Sequence, residues 1–352
     1  MTIAEHKHTR DELRQLQALP LDIKIKMTQR RIRDWYTYWG GAVYVSFSGG
    51  KDSTVLLHLV REIYPDVEAV FVNTGLEYPE IQKFVKTFDN VTILRPKMRF
   101  DEVIKKYGYP MISKEVSLAI WYARKGSKWA NNYFEGLDGK GKPHSFKKAM
   151  YSKYKSLTET DFMCSNKCCH NMKENPLDDF MKLTGKKPLV AIMASESKKR
   201  ETAWMRTGCN AFDGKKPMSK PMSFWTEQDV LQYIKKYDIP IASVYGSIEY
   251  AEDPEQMRIE ELGIDGCGTE KLKTTGCSRT GCIFCGFGCH LEKAGEGRFE
   301  RLKQTHPRQY EYCIGGGEYD ENGKWVPNKQ GLGLGHVFDE LNKIYGEGFI
   351  KY

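Results

Sequence analysis

Apolar residues alternate at Val43, Val45 and Phe47, and after a short polar break Val55, Leu56, Leu59, Val60 and Ile63 recur at helical spacing. The pattern predicts a half-buried strand, a tight turn over SGGKDS (residues 48–53) and a helix. The rhythm repeats with an apolar run over 67–72, the polar triplet Asn73-Thr74-Gly75, a helix near 79–88 and a strand over 91–94, and the sheet resumes at 189–193. Such alternation predicts an α/β fold with a doubly wound, mostly parallel sheet, which binds ligands at the carboxyl ends of its strands. Ahead of it, residues 10–39 read as one or two amphipathic helices broken at Pro20, packed on the sheet or on a second subunit. Residues 124–160, rich in glycine and lysine, read as an inserted or mobile segment. The tail from Ala294 shows little apolar periodicity, and GLGLGHV (331–337) reads as a glycine turn because no strand precedes it. No internal repeat is visible.

Composition narrows the class. The chain has 352 residues, enough for one large α/β domain with an appendage or for two modest domains. It has no apolar run of membrane-spanning length and begins with a polar stretch, so the expectation is a cytoplasmic protein without a membrane partner. The formal charge of +8 is concentrated: residues 95–155 carry 15 Lys or Arg against five Asp or Glu. Trp121, Tyr122, Trp129, Tyr133, Phe134, Phe146, Tyr151 and Tyr154 interleave with these cations. That mixture suits phosphate contacts and base stacking on a nucleic acid, and equally a solvated lysine face over a core of aromatics.

The turn at 48–53 has a chemistry of its own. Gly49 and Gly50 permit backbone conformations that aim successive N–H groups into one concavity at the positive end of the following helix, which suits a phosphate. Ser48 and Ser53 add hydroxyls, Lys51 adds a point charge, and Asp52 suits Mg2+ bridging phosphate oxygens. The spacing is not that of a Walker loop, and the competing reading is a plain helix cap.

Seven of the ten cysteines fall in two blocks, Cys164, Cys168 and Cys169, then Cys277, Cys282, Cys285 and Cys289. An adjacent pair such as Cys168-Cys169 bonds to itself only through a strained ring, so metal ligation is the better use. Two thiolates from each block would serve an iron–sulfur cubane; the second block alone has ribbon-like spacing for zinc; buried inert thiols are the third possibility.

SGGKDS resembles the pyrophosphate loop of the adenine nucleotide α-hydrolase superfamily. The resemblance implies ATP held by Ser48, Gly49, Gly50, Lys51, Asp52 and Ser53 and cleaved between its α and β phosphates. CCHNMKENPL (168–177), ASESKKRETAW (194–204), MSFWTEQDVLQYIKKYDIP (222–240) and GCSRTGCIFC (276–285) resemble elements of the phosphoadenosine phosphosulfate (PAPS) reductase-like, or sulfonucleotide reductase, family over roughly residues 40–290. It implies a [4Fe–4S] cluster on Cys168, Cys169, Cys282 and Cys285, and Arg200 near the nucleotide phosphates. FVNTGLEYPE (71–80) resembles the family's Asp-Thr-Gly element near the adenosine, with Asn73 in place of the aspartate beside Thr74 and Gly75. The expected organisation is N-terminal helices over 1–40, a nucleotide-binding α/β domain over 41–265 with a basic insertion at about 124–160, and a Cys-rich, cluster-binding C-terminal part over 266–352.

Two departures bear on function. The reductases use a cysteine in a C-terminal Glu-Cys-Gly-type tail, whereas this chain ends GEGFIKY and its last cysteine is Cys313. They have also lost the lysine-bearing loop that Lys51 and Asp52 keep here. The first reading is therefore an ATP-pyrophosphatase-type sulfurtransferase, with Lys51, Asp52 and Arg200 as catalytic residues, similar to tRNA thiolases and DNA phosphorothioation proteins. Its expected partners are ATP, a tRNA or DNA substrate on residues 95–155, a sulfur-donor protein and a second copy in a homodimer. The alternatives are a sulfonucleotide reductase using Cys313 or a cysteine of the second block, and a nucleotide-gated iron–sulfur subunit without catalysis.

Overall fold

In the computed structural model, which describes residues 7–138, 140–143, 150–214, 216–251 and 271–352, the alternating stretch forms the strand Val43–Ser46 and the helix after the turn spans Lys51–Arg61. Val43, Tyr44 and Val45 are all buried, so the half-buried strand of the sequence reading is covered on both faces. That is the environment of a central parallel strand flanked by helices.

The chain divides into two compact units, each assembled from three stretches. The first takes the described residues up to Val72 with Tyr78–Leu94 and Asp179–Thr280. Its six-stranded sheet runs in the spatial order Val91–Leu94, Ala69–Val72, Val43–Ser46, Lys187–Val190, Met218–Ser219, Asn210–Ala211. All neighbours are parallel except the last pair. Val45 faces Ala69 on one side and Leu189 on the other. The order reverses between Val43–Ser46 and Lys187–Val190, and a ligand crevice is expected at the carboxyl ends of the two strands that flank such a reversal. The turn at 48–53 and the segment carrying Glu196 and Arg200 follow those two strands.

The N-terminal helices Arg10–Gln17 and Leu21–Tyr38 belong to this unit. Thr9 and Glu12 form a capping box at the first, and Pro20 separates the two, as the sequence predicts. The second helix is pinned by a buried ion pair, in which Lys24 Nζ donates to both Asp229 oxygens at 2.8 and 2.7 Å, and by Trp225 Nε1 donating to Thr28 Oγ1 at 2.9 Å.

The second unit comprises Asn73–Glu77, Arg95–Asp178 and Gly281–Tyr352, and is mainly helical. Its ladders are two residues long: Met111–Ile112 pairs in parallel with Gly286–Phe287, and Glu318–Tyr319 pairs antiparallel with Trp325–Val326. Two sequence expectations are corrected here. Within 124–160 the helix Lys128–Phe134 and the turn Ser152–Thr158 bury Ala130, Tyr133, Phe134, Tyr154 and Leu157, so the described part of this segment is a packed layer. The tail forms the helices Arg298–Thr305, Pro307–Ile314 and Leu334–Tyr345. Leu334, Val337, Phe338 and Leu341 are buried at helical spacing, a periodicity that the flanking glycines mask. Gly333, at φ +69°, opens the last helix, so the glycine turn covers only the start of GLGLGHV and residues 334–337 are helical. No helix among the described residues is long and apolar enough to cross a membrane.

Candidate functional site

The loop at 48–53 is built as a cradle. Gly49 has φ +72°, and a Cβ there would stand 2.7 Å from Val85 Cγ2 and 2.8 Å from Ile81 Cγ2. Only glycine satisfies both the conformation and the space. Gly50 is the N-cap of Lys51–Arg61. Ser53 Oγ donates to the Gly50 carbonyl at 2.9 Å and accepts from the Ser48 N–H at 3.2 Å, which fixes the loop against its own helix.

Lys51 is 3% exposed. Its Nζ donates to the Ser278 carbonyl at 2.9 Å and pairs with Glu227 at 3.1 Å, while its backbone N–H donates to the Tyr245 hydroxyl at 3.1 Å. Tyr245 in turn shares a hydrogen bond of 2.6 Å with the Thr280 hydroxyl. Asp52 Oδ1 is buried without a hydrogen-bond partner, and Lys51 Nζ stands 3.8 Å from it. Burial pushes the Asp52 carboxyl above its usual range, with Lys51 opposing. A buried carboxylate oxygen left without a partner is costly, and a hard divalent cation fits it.

Arg200 pairs with Glu196, and Arg279 Nη2 reaches the other Glu196 oxygen at 2.6 Å. Burial, then the neighbouring Arg279, lowers the Arg200 pKa, with Asp52 opposing. Lys51, Asp52, Arg200 and the serines and glycines of the loop thus belong to one unit. Sequence reading does not single out Glu196, Glu227, Tyr245 or Arg279. Glu196, Glu227 and Arg279 lie inside the quoted motifs without their partners being readable there, and Tyr245 lies outside all of them.

Asn73, Thr74, Gly75 and the four predicted cluster cysteines belong to the other unit. The Asn73 side chain accepts from the Gly75 N–H at 3.1 Å, so it holds its own turn. Thr74 donates its hydroxyl to Glu77 at 2.7 Å and its N–H at 3.1 Å, and both residues are buried. Glu77 pairs with Lys173 at 3.8 Å.

Lys173 also hydrogen-bonds Cys282, as Lys114 does Cys169. Cys168 and Cys169 lie on the short helix Lys167–Cys169, which widens into a π turn over His170–Glu174 before Asn175–Thr184. Pro176 lacks the N–H that would continue a regular ladder there, which accounts for the wider turn. The bond between the tandem thiols lowers the Cys169 pKa, helped by Lys114 and Lys173, and raises that of Cys168 together with burial. Burial pushes Cys282 up to about 11 against Lys173, and Cys285 up against the Phe287 N–H and Arg298.

Four thiols that sense one another, with two lysines bonded to them, form a donor set suited to anionic sulfur ligation. Among the described residues no three His, Cys, Asp or Glu converge as ligands of a single ion. A four-iron cluster takes one thiolate at each corner, so it tolerates wider spacing than one zinc ion. Cys289 donates to the Gly286 carbonyl at 3.0 Å, and burial lifts its thiol to about 12, as it does that of Cys164. Cys313 is fully buried and its thiol is pushed far up, which leaves it unsuited to the nucleophile's role that the reductase reading offers it. Cys267 lies outside the described residues.

The basic stretch is corrected in part. Tyr133, Phe134 and Tyr154 are buried, Tyr133 stacks on Tyr151 at 4.5 Å, and Lys125 covers Trp121 at 3.6 Å. These rings are used by the fold, whereas Trp129 is 41% exposed. Phe146, Lys147 and Lys148 lie outside the described residues.

Comparison with known proteins gives a match over residues 42–286 to the phosphoadenosine phosphosulfate reductase domain. An adenosine 5′-phosphosulfate reductase of Staphylococcus haemolyticus is 25% identical over 219 residues, covering 61% of this chain and 70% of that protein. A further 74-residue stretch, 20% of this chain, is 40% identical to an uncharacterized protein of Methanocaldococcus jannaschii, but spans only 18% of its length. The structure of PAPS reductase from Candida auris superposes with a TM-score of 0.36 at 14% identity, covering 74% of this chain and 96% of that one. The U34-tRNA thiolase NcsA from Methanococcus maripaludis, solved with its [4Fe-4S] cluster, gives 0.32 at 15% identity, covering 68% and 72%. Both superpositions are loose, and the weight rests on the sequence match.

Proposed function

The chain belongs to the phosphoadenosine phosphosulfate reductase domain family, and we propose that within it the protein is an ATP-dependent sulfurtransferase that adenylates an oxygen of its substrate and replaces it with sulfur. The observation that carries this reading is the intact Lys51–Asp52 pair: a buried ammonium beside a buried carboxylate oxygen with no hydrogen-bond partner, at the mouth of a glycine cradle. A site for an already activated sulfonucleotide has no pyrophosphate to release and no need of that pair.

The balance of the reaction is simple. The substrate oxygen attacks the α-phosphorus of ATP, the α–β bond breaks, and pyrophosphate leaves. Sulfur at the oxidation level of hydrosulfide then displaces AMP, so the exchange of oxygen for sulfur needs no net electrons. Lys51 exchanges Ser278 and Glu227 for phosphate oxygens and neutralises the departing pyrophosphate. The loop N–H groups orient the β and γ phosphates, and Arg200 and Arg279 supply further positive charge from across the crevice. Asp52 would hold a magnesium ion, which would supply charge neutralisation to the phosphates. Cys168, Cys169, Cys282 and Cys285 would hold a [4Fe–4S] cluster, which would supply a place to activate sulfur.

The test is anaerobic incubation of the protein with ATP, magnesium, sulfide and tRNA or DNA, followed by nucleoside analysis by mass spectrometry. Thio-modified nucleosides that depend on ATP are expected. Their absence, with sulfite released from adenosine phosphosulfate or its 3′-phosphorylated form, would establish the second reading, which the reductase names of curated relatives favour.

A further inference from the structure

A cavity of about 420 Å³ in the second unit is lined by two arginines, Arg95 and Arg99, by the rings Phe100, Phe284 and Tyr312, and by the backbone turn at Asn73–Leu76. Its charge is unevenly satisfied. Arg99 is held by Asp101 at 3.1 Å and lies against Tyr312, whereas no hydrogen bond or ion pair engages Arg95 among the described residues. Arg95 and Arg99 are both exposed, which gives the cavity two cations at its edge. On the apolar side, Phe284 and Tyr312 stand 6.1 Å apart between centroids at 50°, and Phe100 backs Phe284 at 6.4 Å. A volume in this range suits one small ligand. A planar ring with an attached anion matches both walls, and two exposed arginines at the edge suit an anion that continues into a chain.

Phe284 is itself the residue before Cys285 in Cys282-Ile283-Phe284-Cys285, and the Ile283 N–H donates to the Leu76 carbonyl at 2.8 Å. The cavity wall and two of the thiols proposed to hold the cluster, Cys282 and Cys285, are therefore on one turn of chain. We infer that this cavity receives an unpaired nucleotide of a single-stranded nucleic acid, its ring against Phe284 and Tyr312 and its phosphate on Arg95, as the acceptor of sulfur. The inference rests on the proposed function for the word acceptor, and on the cavity alone for the nucleotide. The same chemistry is carried by ATP, and the Asn73-Thr74-Gly75 turn that lines the cavity resembles an element near an adenosine, so the two sources must be separated.

The experiment is calorimetry at low salt on the full chain with two probes, a uridine pentanucleotide and α,β-methylene-ATP, for wild type, Arg95→Ala, Arg95→Lys and Tyr312→Leu. Arg95 is exposed, so its replacement is expected to leave the fold intact. Arg95→Ala is expected to weaken the pentanucleotide about tenfold, to reduce the salt slope by about one, and to leave the ATP analogue unchanged. Arg95→Lys should restore most of the loss, and Tyr312→Leu should cost at least about fivefold through stacking. No binding of the pentanucleotide by wild type, or unchanged binding by Arg95→Ala and Tyr312→Leu, overturns the inference. Weakening of the ATP analogue instead assigns the cavity to ATP and also overturns it. Loss of AMP and pyrophosphate release is a separate readout: a wild type that binds the pentanucleotide through Arg95 but never cuts ATP loses the proposed function and keeps the nucleotide site.

Discussion

At the scale of single residues, the loop at 48–53 is legible in the sequence because its signal is local. Glycine where φ is positive, a lysine, an aspartate and two serines within six positions need no knowledge of the fold. Gly49 makes the point testable: Gly49→Ala forces a side chain into φ +72° and into Ile81 and Val85, and should cost about 1–3 kcal/mol in urea unfolding. An unchanged midpoint would mean that the loop relaxes freely. The partners of Lys51 are not legible, since Glu227, Tyr245 and Ser278 lie far along the chain and carry no shared spacing. The aromatics of the basic stretch stay undecided in sequence for a related reason, because the rings of Tyr133 and Trp129 look alike there while one is 6% and the other 41% exposed.

At the scale of elements, the helices and long strands around the loop follow their periodicity, and the N-terminal pair follows its caps and Pro20. The strands Asn210–Ala211 and Met218–Ser219 are two residues each, too short to show alternation, and enter the sheet only through pairing. Docking of the N-terminal helices is a tertiary matter carried by the buried Lys24–Asp229 pair, with side-chain exposures of 2% and 9%. Asp229 also caps its own helix, Glu227–Lys236, through Thr226, so the pair joins the N-terminal extension to the helix that carries Glu227. Lys24→Met leaves a buried carboxylate uncompensated and should cost about 3–5 kcal/mol by denaturant unfolding. Adding Asp229→Leu should recover much of that loss, and a double variant no better than the single one would show that the pair contributes more than mutual compensation.

At the scale of the whole molecule, each compact unit gathers stretches that are distant in sequence, which is why Cys168 and Cys169 meet Cys282 and Cys285 across more than a hundred residues. Family resemblance, not spacing, named those four. Anaerobically purified protein should carry about four irons, and Cys282→Ser should lower the iron content. Unchanged iron in that variant would reassign the ligands. Cys313, fully buried, should be dispensable for chemistry: Cys313→Ala is expected to retain turnover, and its loss without unfolding would return weight to the reductase reading. The central claim is that this chain cuts ATP between the α and β phosphates because it has kept Lys51 in the loop. The most direct measurement is product analysis of ATP labelled in its phosphates, incubated with magnesium and nucleic-acid substrate, for wild type and Lys51→Met. The account predicts AMP and pyrophosphate from wild type and neither above background from Lys51→Met; ADP and phosphate as the products, or full AMP release by Lys51→Met, would contradict it.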